Sequence, residues 1–255
     1  MNQRKLVYCL CVLLLTLSHS SFAQKDIFVG VKGGISVPDL TSGGDNPLSS
    51  GWSSRFGGNF GALASIKIKG KFSIQVEVNY SSEGGKKNGE QEVPVSYFTN
   101  NPPVGIPSLL YANLNNETRL NYLEIPVLAK FSFPLGHSLK FFIDAGPYLG
   151  IMVGAKTLAN GNTEFYTDAA ETQPLTGTYG QSFAINVNQN IQDDLKQFNV
   201  GAQAGIGLQQ KLYRGYLMLT VGGNYGFIPI QKDEANDGKN NTGAATATIG
   251  YIIKI

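Results

Sequence analysis

Few residues in this chain have side chains suited to catalysis or metal binding. Histidine occurs twice, as His19 and His137, and cysteine twice, as Cys9 and Cys11. Three of these four lie within residues 1–23, which read below as an export leader, so His137 alone is left for the exported chain. It stands in a Pro134-Leu135-Gly136-His137 turn sequence and reads as a solvated turn residue rather than as the base of a nucleophilic site. A metal centre built from histidine and cysteine has no ligand set to draw on. Catalytic, metal-binding and cofactor-binding residues are therefore expected to be absent, and the reading is of a protein that is not an enzyme.

The carboxylates carry more information. Glu77, Glu124 and Asp144 fall on the polar faces of three alternating segments, and Lys32, Lys67, Lys130 and Lys140 share those faces. An unpartnered buried charge is expensive, so these seven are expected to form an interior ion-pair network that plugs the body of the protein. A proton relay, or a network that gates a narrow path, is the functional alternative. Asp233, Glu234 and Asp237 lack the spacing of a calcium loop and read as a solvated acidic connection. The glycine run at 201–207 sits inside an alternating segment with no helix after it, so it is no nucleotide loop.

The elements that position these groups follow from period two. The chain has 255 residues, 31 of them glycine, with 42% hydrophobic and only 15% charged. Residues 2–5 are basic, 6–17 apolar and Ser21-Phe22-Ala23 small, the pattern of a signal peptide cleaved after residue 23. The apolar stretch of about 12 residues is too short to span a bilayer as a helix. Loss of Arg4 and Lys5 leaves eighteen basic and eighteen acidic side chains in residues 24–255. A neutral chain of this kind is not expected to capture nucleic acid.

Eight segments then alternate with period two. Ile27, Val29, Val31 and Ile35 oppose Gly30, Lys32 and Gly34. Phe60, Ala62, Ala64 and Ile66 oppose Gly61, Ser65 and Lys67. Phe72, Ile74, Val76, Val78 and Tyr80 oppose Gln75, Glu77 and Asn79. The pattern returns at 122–133, 139–153, 198–208, 217–225 and 245–255, with Pro126 and Pro147 predicting local bulges. Short turns at Gly70, 134–137 and 213–215 alternate with long polar links at 37–55, 81–118, 156–197 and 227–241.

This is the signature of an all-β, eight-stranded antiparallel up-and-down transmembrane β-barrel with short periplasmic turns and long extracellular loops. Its apolar faces would meet outer-membrane lipid. Phe72, Tyr80, Phe131, Phe133, Phe141, Tyr225 and Tyr251 are candidates for the aromatic girdles, and inner glycines such as Gly150 and Gly205 would leave room for larger neighbours. An even strand count puts both termini in the periplasm of a Gram-negative cell. An exported soluble ligand-binding barrel is the alternative architecture, but its outer face would carry dense charge.

Asn121-Tyr122-Leu123-Glu124-Ile125-Pro126-Val127-Leu128-Ala129-Lys130, followed by Ala145-Gly146-Pro147-Tyr148-Leu149-Gly150, resembles paired motifs of the PorT-like outer-membrane β-barrel family of Bacteroidetes, as does Val29-Gly30-Val31-Lys32-Gly33-Gly34. The resemblance covers residues 24–255 and implies an eight-stranded outer-membrane barrel. Some members of that family are linked to a protein secretion machinery. The function expected is a non-enzymatic structural or interaction module. Its protein partners would be met through extracellular loops or periplasmic turns, and the aromatic-bearing loop segments 93–98, with 102–110 behind it, and 165–183 are suited to a cap or a docking surface. A narrow pore or a conduit for hydrophobic compounds is the rival.

Overall fold

The computed structural model describes residues 26–42, 46, 48–95, 101, 104–175 and 183–255. The leader lies outside these residues, as do parts of the three loop segments singled out above, 96–98, 102–103 and 176–182. Among the described residues nine antiparallel strands follow one another: β1 (Ile27–Ser42), β2 (Gly57–Lys69), β3 (Phe72–Pro94), β4 (Leu109–Pro134), β5 (Leu139–Thr163), β6 (Phe183–Asn190), β7 (Phe198–Leu212), β8 (Gly215–Gly226) and β9 (Asn240–Lys254). Each of β1–β5 pairs with the next, β5 pairs with β7, β7 with β8, β8 with β9, and β9 returns to β1. Eight strands thus close a ring. β6 stands outside it, pairing with residues 156–163 of β5 beyond the stretch that β7 covers.

Parity sorts the ring as the sequence demands. Val31, Phe60, Ile74, Val76, Val78, Val127, Ile143, Val200, Ile206, Leu219, Val221 and Ile249 all face outward and are exposed, while the alternate residues of the same strands turn into the lumen. Outward apolar side chains over a polar interior are stable only against hydrocarbon, and closure leaves no unpaired edge for lipid to meet. Aromatic side chains stand toward both ends of this band. Phe72 packs on Phe131 and Phe133 on Phe141 near the short turns, and Tyr225 packs on Phe227 near the long loops.

Two expectations are corrected. The link at 81–118 is mostly strand, because β3 runs 23 residues and β4 26, and β5 runs 25, where about 9–11 suffice to cross a bilayer. Beyond the membrane band these three strands, with β6, rise as a sheet extension. Its own core is Val93, Val95, Leu110, Ala112, Leu114 and Phe165, so described parts of those loop segments fold inward there. The prolines also make no bulge. Pairing of β4 with β5 lapses between Pro126↔Tyr148 and Ala129↔Ala145 and resumes in the same register. Pro147 falls in that gap, Pro126 falls in a separate gap of the β3–β4 ladder between Val76↔Val127 and Asn79↔Glu124, and in both the flanking pairs hold the register. The shift in the β4–β5 ladder is instead at Asn121/Tyr122.

Candidate functional site

The inward faces fill the lumen in layers. Nearest the short turns, Leu63, Phe142, Met218 and Ile252 pack together, with Phe28 and Tyr216 against them. Phe142 fits because β7 carries Gly207 across from it, and a Cβ there would collide with the ring. Above this floor lies a charged layer. Lys32 Nζ meets Glu77 Oε2 at 2.6 Å, Gln75 Nε2 donates to Glu77 Oε1 at 2.6 Å, and Asn79 Nδ2 donates to Oε2 at 2.8 Å. Lys130 Nζ donates to Gln75 Oε1 at 3.0 Å and sits 3.8 Å over the Phe142 ring. Asp144 stands opposite Lys130 across the β4–β5 ladder. The space left among these groups, bordered by Lys32, Glu77, Asp144 and Gly205, is about 20 Å³, room for roughly one water molecule. The third layer is a carboxylate pair joined by an amide. Asn224 Nδ2 donates to Glu124 Oε1 and to Glu83 Oε1, both at 3.1 Å, and Ser81 Oγ donates to Glu83 Oε1 at 2.8 Å.

At the long-loop end the lumen is closed by Leu40, Leu120, Tyr122, Met152, Leu195 and Ile230, with Trp52 packed against them. The connection before β2 is laid over the sheet extension. Ser53 bridges to Lys86, and the buried Arg55 donates to Glu117 Oε1 at 2.9 Å, to Ser82 Oγ at 3.0 Å and to the Glu83 carbonyl at 3.0 Å. Glu117 also accepts from Arg119 Nε at 3.0 Å. The Arg119 guanidinium first, and then Arg55, hold the Glu117 carboxyl down at about 2. The acidic connection before β9 is used structurally. Asp233 caps the single helical turn Glu234–Asp237 by accepting from the Asn236 N–H, and Glu234 pairs with Lys196 at 2.6 Å and Lys239 at 3.2 Å.

Of the seven residues expected to share a network, Lys32, Glu77, Lys130 and Asp144 meet in the charged layer. Glu124 lies further along β4, opposite Gly150, and is bonded to Asn224 rather than to a lysine. Lys67 and Lys140 stand below the apolar floor, at the mouth near the short turns, with Lys140 Nζ 4.7 Å over the Tyr216 ring. Sequence reading missed Glu83 and Arg55. Glu83 had a signal: the inward set Gln75, Glu77, Asn79 continues through Ser81 to Glu83 without a break in parity, past the point where the outward apolar residues stop.

The family described as outer membrane protein beta-barrel domain matches residues 22–232, and the chain belongs to it. Among solved structures it is similar to Neisserial surface protein A, at 12% identity over 90% of this chain and 97% of that one, with a TM-score of 0.39. It is also similar to the outer membrane protein OprG from Pseudomonas aeruginosa, at 11% identity over 90% of this chain and 96% of that one, with a TM-score of 0.40. Comparison with curated proteins gives no match. The protein is therefore an outer-membrane β-barrel, its apolar outer face set in lipid.

Proposed function

We propose that this protein is a non-enzymatic barrel with a plugged lumen that acts through the surfaces it presents beyond the membrane. In this reading residues 1–23 are removed on export, both termini and the short turns face the periplasm, and the extension of β3–β6 stands outside the cell. The observation that carries the proposal is the stacking in the lumen: an apolar floor, an ion-paired layer, a carboxylate–amide layer and an apolar cap, with space for about one water molecule in the charged layer. The charged layer serves as the ion-pair plug expected from sequence. The resemblance of 121–130 and 145–150 to PorT-like barrels supports a place beside a protein secretion machinery, with the extension or the short turns as the docking surface.

The test is single-channel recording of the folded barrel in planar bilayers. Steady current is expected to be absent from wild-type protein, and to stay absent in Glu77→Ala with Lys130→Ala, because the apolar floor and the apolar cap still close the lumen. Steady wild-type conductance of an eight-stranded size would overturn the reading in favour of a narrow pore.

A further inference from the structure

The charge that is balanced over the exported chain is not balanced at its short-turn end. There the barrel opens into a cavity of about 610 Å³ whose lining holds seven basic side chains and one acidic one, Asp26. Strand parity brings five of the seven in from the wall: Lys67 shares the inward face of Leu63, Lys130 that of Leu128, Lys140 that of Phe142, Lys211 that of Gln209 and Lys254 that of Ile252. Lys71 and Arg214 reach it from the turns. Side chains on the lumen face are not anchors snorkelling to lipid headgroups along the outer wall.

Little within the protein neutralises them. Among the described residues, Lys254 alone has a carboxylate within ion-pair distance, that of Asp26. Lys130 is met from behind by Asp144 across the ladder and donates to the neutral Gln75. Three of the other five lie over rings. Lys140 Nζ lies over Tyr216 and the Arg214 guanidinium 5.4 Å over Tyr213, while Lys71 Nζ lies 5.0 Å over Phe133, a ring of the outer belt. Aromatic faces orient a cation without cancelling its charge. Cations that line one recess repel, and a recess with low-dielectric walls focuses that field on whatever enters. Phe28, Tyr216 and Ile252 add an apolar wall.

We propose that this vestibule is a binding site for a phosphoester, with the phosphate received by the lysine ring and the carbon skeleton laid on the apolar wall. Lysine ammoniums suit phosphate as point charges, and the volume suits a small organic ligand. The phosphate can come from a soluble phosphoester or from the headgroup of a lipid in the adjacent leaflet. The proposal is independent of which compartment this end faces.

Isothermal titration of the folded barrel in non-ionic detergent at low salt tests it, with inorganic pyrophosphate, glycerol 3-phosphate and dihexanoyl phosphatidylglycerol as probes. Saturable binding is expected, weakened by salt and reduced roughly tenfold or more by Lys67→Gln with Lys140→Gln. Lys86→Gln with Lys239→Gln, at the other end of the molecule, is expected to leave it unchanged. Heat-dependent gel mobility checks that every variant is folded. Binding of the lipid probe alone assigns the site to a headgroup, and binding of glycerol 3-phosphate assigns it to a soluble ligand. Absence of binding by all three probes, or equal binding by both double variants, overturns the proposal.

Discussion

Lys32 and Glu77 are the residues at which the interior is most tightly specified. Glu77 is 2% exposed and Lys32 10%, and the carboxylate accepts from three different donors. Removing one partner from such a pair costs about 3–5 kcal/mol, because the remaining charge keeps its desolvation penalty and loses its compensation. Replacing both with apolar side chains of similar volume is far less harmful. Glu77→Ala is thus expected to lower the urea midpoint of the folded barrel strongly, and Lys32→Met with Glu77→Leu to recover most of the loss. Glu124→Ala removes a carboxylate that accepts from Asn224 through both oxygens but meets no lysine, and is expected to cost about 1–3 kcal/mol without preventing insertion. If Glu77→Ala proves no worse than Glu124→Ala, the charged layer is not what holds the lumen.

At the scale of elements, the eight ring strands were legible because lipid enforces a single rule, apolar outward on alternate residues. The extension was not legible because its rule is the reverse. In β4 the outward residues Leu123, Ile125 and Val127 are apolar within the membrane band, whereas beyond it the inward residues Leu110, Ala112 and Leu114 are apolar and buried. β3 does the same, with Ile74, Val76 and Val78 on one parity and Val93 on the other. The inversion occurs where the solvent of the outer face changes from hydrocarbon to water. A reader following one parity loses the strand at that point and sees a polar loop. The same change of rule hid Glu83 and Arg55, whose places depend on β3 continuing, while Glu77 and Lys130 could be placed inside the lumen from alternation alone. What alternation could not supply was height along the axis, which separates Glu124, Lys67 and Lys140 from the charged layer. The extension has its own core, distinct from the clusters at the cap and the floor. Leu110→Ala is therefore expected to destabilise the extension by about 2–5 kcal/mol, seen as faster proteolysis there, while the heat-dependent gel mobility of the barrel stays as in wild type. A barrel that loses its heat resistance together with the extension would mean that the two fold as one unit.

Over the whole molecule, stability is divided between a membrane-held ring and a water-facing superstructure, and pH can separate them. Arg55 ties the connection before β2 to β4 through Glu117, and Trp52, the one tryptophan of the chain, packs on the cap beside it. The Glu117 carboxyl lies at about 2 in the folded protein against 4.5 for an unconstrained one. Because the folded value is the lower, its stabilising contribution is complete above about pH 4.5 and is lost as pH falls toward 2. The group is partly exposed, so screening reduces the effect below what the displacement alone suggests. Trp52 emission is accordingly expected to shift to the red between pH 4.5 and 2 as the cap loosens, at a pH where the ladder-bonded ring still migrates as a folded barrel. Glu117→Gln keeps a hydrogen-bond acceptor but removes the titrating charge, so its Trp52 emission is expected to resemble the acid form at neutral pH and to change little on acidification. An unchanged acid transition in that variant would place the pH-sensitive tie elsewhere and leave Arg55 holding the connection through Ser82 and the Glu83 carbonyl alone.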